Sequence, residues 1–211
     1  MKYCAVSLFF LTIVGFSVNT NAANDAAKQR SDWYLGFAVG HGTVFDANYE
    51  QDGQKTKFED WADSHDYNQA IYNVKGGVTL SKNWLVGLDF SIVNYANGGF
   101  VADDINLKDI NIKNYYVIAT YFPKGSGWLL RTGGGMSRLV KIEEFKNDHD
   151  KDTERHTRGF GYTLGGGYSF WIGEQFNLSV YLDYSKQIYK DSSNEPDYSQ
   201  FTALYLGFDW Y

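Results

Sequence analysis

From about residue 32 onwards, apolar residues recur at every second position rather than every third or fourth, which is the period of strands and not of helices. Eight segments carry the pattern: 32–41, 69–80, 84–96, 109–122, 128–141, 157–171, 176–189 and 199–211. Each reaches the roughly 9 to 11 residues that a tilted strand needs to cross a bilayer. Both prolines, Pro123 and Pro196, fall between segments, where a missing ladder donor does no harm. The connections hold about 27, 3, 12, 5, 15, 4 and 9 residues, long and short by turns. A soluble sandwich has no reason to gather every short turn at one end, whereas an up-and-down barrel in an outer membrane does. The expected fold is all-β, a single eight-stranded antiparallel up-and-down transmembrane β-barrel over 32–211. An even strand number puts both termini on one side, the periplasmic side in this architecture.

Side-chain parity divides each segment into two faces. In 84–96, Trp84, Val86, Leu88, Phe90 and Ile92 oppose Leu85, Gly87, Asp89 and Ser91; in 176–189, Phe176, Leu178, Val180 and Leu182 oppose Asn177, Ser179, Tyr181 and Asp183. Strand glycines take the polar parity almost throughout, Gly76, Gly134 and Gly166 excepted. A narrow barrel has little interior room, so the glycine-rich polar face reads as the inside and the apolar face as the lipid side. The segment 109–122 resists the test, because Tyr115, Val117, Ala119 and Tyr121 suit lipid as well as Tyr116, Ile118 and Phe122 do.

Trp33, Trp84 and Trp128 begin segments, and Trp171 and Trp210 end them. In this topology all five fall at the periplasmic end and read as an aromatic girdle, where the indole's apolar body and N–H donor suit the headgroup boundary. Strict counting gives Trp171 inward parity, which predicts a bend at the end of its segment. A composition of 22 Gly and 18% aromatic residues fits the two faces. The mean hydropathy of −0.40 is the expected sum of a half-polar barrel and long hydrated loops. A net charge of −6 without a Lys/Arg cluster in the sequence argues against a nucleic-acid partner.

Residues 1–22 read as a cleaved signal peptide: Lys2, an apolar stretch from Ala5 to Val18, and small residues before a cut after Ala22. An uncleaved helical anchor is disfavoured because the run is short for a span. Residues 23–31 then form a short periplasmic segment. Cleavage removes Cys4, the one cysteine, and with it disulfides, thiol catalysis and cysteine metal sites.

Eight strands, the leader, glycine-rich segments such as VKGGVTL (74–80) and YTLGGGYSFWI (162–172), and an aromatic C-terminal strand resemble the small outer-membrane β-barrel proteins, the broad family of the OmpX/Ail adhesins, the OmpA membrane domain and OmpW. The resemblance covers 31–211. It implies the outer membrane of a Gram-negative bacterium, insertion by the barrel-assembly machinery, and lipid and lipopolysaccharide as surroundings. The last strand of such proteins carries an insertion signal of alternate hydrophobic residues; Leu204, Leu206, Phe208 and Trp210 match it, with Tyr211 one residue beyond. Because this fold hosts adhesins, pores and enzymes alike, it identifies architecture rather than activity.

Inward parity collects Lys75, Asp89, Arg131, Asp183 and Asp209, with Tyr205 among them. In so narrow an interior they are expected to pair in a hydrogen-bonded network, with a gated ion path as the functional alternative. The loop 42–68 carries Phe58, Trp61 and Tyr67, residue types that anchor interfaces, among Asp, Glu and Lys. The loop 142–156 carries Asp148, His149 and Asp150, whose oxygens suit calcium or magnesium but lack the glycine and glutamate of a calcium loop; interspersed lysines favour a solvated tip, and no metal or cofactor is expected. His41 at the rim and Ser64-His65-Asp66 are the candidates for a lipid A-modifying enzyme, but neighbours on one loop are not held for proton transfer. The leading expectation is a monomeric, non-enzymatic surface protein of adhesion or colonisation type, whose loops 42–68 and 142–156 bind a host-cell or matrix partner. The alternatives are an OmpW-like channel for small hydrophobic molecules and a lipid A-modifying enzyme.

Overall fold

A computed structural model describes residues 30, 32–51, 54–57, 67–97, 108–143, 153–190 and 197–211. The signal-peptide reading and residues Phe58, Trp61, Ser64, His65, Asp66, Asp148, His149 and Asp150 lie outside the described residues. The strands are β1 (Trp33–Gln51), β2 (Gln54–Lys57), β3 (Tyr67–Ser81), β4 (Trp84–Asn97), β5 (Lys108–Tyr121), β6 (Trp128–Glu143), β7 (Thr153–Trp171), β8 (Phe176–Tyr189) and β9 (Tyr198–Trp210). Each long strand pairs antiparallel with the next, and β9 pairs back onto β1 from Leu35↔Trp210 to Ala47↔Ser199. The eight long strands close into an up-and-down barrel, so no sheet edge is left within it. β2 is a short return strand on the far end of β1, with Asn48 opposite Lys57.

The strands run further than the alternation of apolar residues. The expected loop 42–68 is shortened from both sides by β1, β2 and β3, and the loop 142–156 by β6 and β7. Backbone pairing continues there, for example Thr43↔Thr202 and Lys141↔Arg155. A ladder needs only backbone partners, so it outlasts the lipid that imposes the apolar pattern. Tyr67 begins β3, opposite Asn97.

At the opposite end the connections are tight: two residues between β3 and β4, a 3-10 turn at Pro123–Gly125, and residues 172–175 between β7 and β8. Gly125 has φ 67°, a backbone shape that favours glycine. This turn end also holds Arg30 and Tyr211.

Candidate functional site: a filled lumen beneath a loop-bearing rim

Alternation fixes which side chains enter the barrel. Leu35, Phe37, Val39, Leu88, Val117, Leu130, Leu164, Leu182 and Leu206 are exposed and face outward, while Ala38, Asp89, Arg131, Asp183 and Tyr205 are buried inside. For β5 the parity is now settled: Ile112, Asn114, Tyr116 and Ile118 are buried, whereas Tyr115 and Val117 are exposed. Trp33, Trp84, Trp128 and Trp210 stand outward at the turn end as a girdle, with Trp33 edge-on to Trp210 at 5.1 Å and Trp128 to Tyr168 at 5.2 Å. Trp171 is a correction to the expected girdle. Its strand keeps inward parity without bending out, and the indole packs inside against Tyr211 at 5.4 Å.

The middle of the lumen is ionic. Arg131 donates to Asp89 Oδ2 at 2.6 Å and faces Asp183 Oδ2 from Nε at 3.4 Å. Asn73 donates to the other oxygen of Asp89. Lys75 Nζ lies 2.8 Å from Asp209 Oδ1. The rings of Tyr181 and Tyr205, opposite one another on β8 and β9, stack at 4.9 Å with planes 11° apart. Arg131 sits over Tyr181 at 4.7 Å, and Lys75 at 5.2 Å. Glycines make the room: a Cβ on Gly36 would strike Asp209 and Lys75, one on Gly165 would strike Asp183, and one on Gly161 would strike the Tyr116 hydroxyl.

Sequence parity collected three carboxylates against two cations. The third cation is Arg30, which sequence reasoning placed in the short periplasmic segment 23–31 rather than in the lumen. It is buried in the turn end of the barrel, with its guanidinium 3.5 Å from the Phe122 ring centroid and 5.7 Å from that of Trp171. It donates to the Ser126 carbonyl at 3.4 Å and to Ser169 Oγ at 3.5 Å, and lies within the field of Tyr211 and Asp209. Among the described inward side chains, Arg30, Lys75 and Arg131 thus balance Asp89, Asp183 and Asp209. Burial lowers the Arg30 pKa and raises that of Tyr211, so Tyr211 remains a neutral phenol. No motif marks Arg30; the one sequence signal that could have found it is the imbalance of three carboxylates against two cations among the five lumen residues.

Towards the loop end the interior turns apolar. Ile71, Val93, Ile112 and Leu139 lie in one register row across β3 to β6 and are all buried, joined by Phe201 from β9. Between this row and the ionic layer, Ser137 donates to Asn114 at 2.8 Å and Gln187 to the Tyr116 hydroxyl at 3.2 Å. A cavity of about 20 Å³ lined by Tyr34, Lys75, Asp89, Arg131, Tyr181 and Tyr211 has room for a water molecule. His41 takes outward parity at the rim and is exposed. No cluster of three or more metal-ligating side chains occurs among the described residues.

A family model for the outer membrane protein beta-barrel domain matches residues 8–211. The chain belongs to the outer membrane protein β-barrel domain family. That places it in the outer membrane of a Gram-negative bacterium. No curated protein matches it. Among solved structures it is similar to neisserial surface protein A, at 10% identity and a TM-score of 0.50, covering 84% of this chain and 96% of that one. It is also similar to Ail, the attachment invasion locus protein of Yersinia pestis, solved with the heparin analogue sucrose octasulfate: 14% identity, TM-score 0.48, covering 85% and 98%. OprG of Pseudomonas aeruginosa matches at 12% identity and a TM-score of 0.45, covering 86% and 96%. At such identities the likeness is one of fold.

Proposed function

We propose that this chain is a closed, non-enzymatic outer-membrane barrel whose loop end faces out of the cell and carries the function, in an adhesion or colonisation role. One observation carries the reading: among the described residues, side chains fill the lumen from the turn end to the Ile71 row. The Arg30–Phe122–Trp171–Tyr211 floor, the Asp89–Arg131–Asp183 layer and the Ile71–Val93–Ile112–Leu139 row succeed one another along it, and the cavity between the first two has the size of a water molecule. A lumen so packed favours binding at the rim over passage through the middle. Both termini and the tight turns share the other end, which this reading assigns to the periplasm. Contact with a host-cell or matrix ligand then falls to 52–66, with Trp61 central, and to 144–152.

The test replaces 52–66 by a two-residue turn after Gln51 and scores adherence of expressing cells to epithelial cells and to immobilised matrix. Adherence should drop to that of cells lacking the protein while the barrel still inserts. Undiminished adherence would overturn the proposal.

A further inference from the structure

Arg30 enters the lumen from outside every strand, beside a turn of the backbone. Asp32 has φ 57°, a left-handed shape that a residue with a side chain rarely takes. Its carbonyl accepts from the Thr79 amide at 2.8 Å, which ties the start of β1 to β3 at the mouth. Arg30 lies two residues earlier and is buried within that mouth.

Its partners stand on the opposite wall. β6 is four strands from β1 either way round the ring. Ser126, whose carbonyl accepts from Arg30 Nη1 at 3.4 Å, lies just before β6; Phe122 follows β5; Ser169 and Trp171 end β7. The side chain thus crosses the mouth as a bar from the β1 wall to the far one. Beneath it lies the cavity of about 20 Å³, and Phe122 and Ser169 both line that cavity and touch Arg30. Lys75, Asp89, Arg131 and Asp209 form its deeper wall. Lifting the bar opens the ionic layer to solvent at the turn end.

Ring faces hold the bar rather than a salt bridge. The guanidinium lies 3.5 Å from the Phe122 centroid and 5.7 Å from that of Trp171, whose ring packs 5.4 Å from Tyr211. Among the described residues no carboxylate forms an ion pair with Arg30. Its hydrogen bonds are long, at 3.4 and 3.5 Å, and its Nε has no partner. Arg131 differs: it is locked between two carboxylates, and breaking such a pair strands buried charge. A cation held mainly by aromatic faces next to water is released far more readily, and aromatic residues grouped around a cation are also a means of recognising organic cations.

We propose that Phe122, Trp171 and Tyr211 form a cage for guanidinium-type cations at the turn end of the lumen. Arg30 is its built-in ligand and a releasable bar across the mouth. Release admits water and small solutes as far as the Lys75–Asp209 and Arg131–Asp89 pairs, while the Ile71 row still closes the loop end. The empty cage then takes a guanidinium ion from solution.

The experiment reads solvent access with cysteine probes in the full chain, expressed into membranes and extracted folded in neutral detergent. C4S removes the natural thiol. Thr120→Cys lines the cavity under Arg30, and Ser137→Cys lies above the ionic layer as a control. Alkylation by neutral iodoacetamide is followed by mass spectrometry. R30A should speed modification of T120C roughly tenfold, the order expected from losing a desolvated cation–π contact, and leave S137C slow. In R30A, guanidinium chloride well below denaturing strength should slow T120C again, and sodium chloride of equal ionic strength should not. F122L keeps Arg30 but removes a ring face, so it should speed T120C in the same direction; it carries the test if R30A does not fold. Unchanged T120C reactivity in the folded variants overturns the proposal. So does an equal rise at S137C, which would mean a loosened barrel, or a failure of guanidinium to protect R30A, which would mean that the rings are no cation site.

Discussion

Arg131→Met tests whether the lumen is held by its charge layer. The guanidinium sits between Asp89 at 2.6 Å and Asp183 at 3.4 Å and over the Tyr181 ring at 4.7 Å. Methionine fills much of the same space but leaves two buried carboxylates facing one another without their cation. Breaking a buried pair by removing one partner costs about 3–5 kcal/mol, most of it from the charge left uncompensated. Removing all three charges together avoids that penalty, so D89N/R131M/D183N should recover all but about 1 kcal/mol of the loss. Unfolding by urea in phospholipid vesicles, followed by tryptophan fluorescence and by the mobility shift of folded barrel on unheated gels, measures both variants. If R131M loses less than about 1 kcal/mol, or if the neutral triple variant is no more stable than R131M, the layer does not act as a compensated charge network.

Four further outcomes are expected. Gly165→Ala should cost about 1–3 kcal/mol by overpacking, since its Cβ would meet Asp183 and the Leu182 carbonyl, whereas Gly76→Ala, facing outward with nothing nearer than 3.3 Å, should stay near wild type; urea midpoints of the pair decide. Arg30→Ala and Phe122→Ala should be coupled, with a double-mutant interaction of at least about 0.5 kcal/mol, because the cation lies on that ring; strict additivity would refute the contact. Wild-type protein in planar bilayers should be electrically silent, and steady single-channel steps would count against a filled lumen. On intact cells an impermeant thiol reagent should label Asp148→Cys and spare Lys124→Cys, the reverse pattern placing the turn end outside.

Parity read from the sequence was sufficient wherever a strand lies within lipid, because there one face must be apolar and the other has to fit a narrow interior. It assigned Lys75, Asp89, Arg131, Asp183 and Asp209 to one interior from five different stretches of chain. It failed on β5, where both faces are apolar: Tyr116 and Ile118 fill space left by glycines such as Gly133 and Gly161, which belong to β6 and β7 and carry no signal in the β5 sequence itself. The floor was equally hidden. Arg30 lies outside every periodic segment, and Trp171 shares residue type and chain position with four tryptophans that do face outward, so only its parity distinguished it.

Towards the loop end of β5 and β6 the ladder and the outward pattern part company. Beyond Met136 on β6, the alternation does not stop but changes sign: Arg138 points out and Leu139 in. The apolar pattern on the lipid face ends there, yet the segments 109–122, 128–141 and 157–171 continue past it, and Arg138 still pairs with Lys113 and Arg158. On β5 the outward face changes in the same way, from Tyr115 to Lys113, while the interior stays apolar through Ile118 and Ile112. Backbone pairing through a change of sign is what a barrel does when it leaves the bilayer, since the ladder depends on backbone groups and the pattern on the solvent each face meets. Two adjacent strands whose outward faces change from apolar to charged at one register level therefore mark the edge of the lipid band.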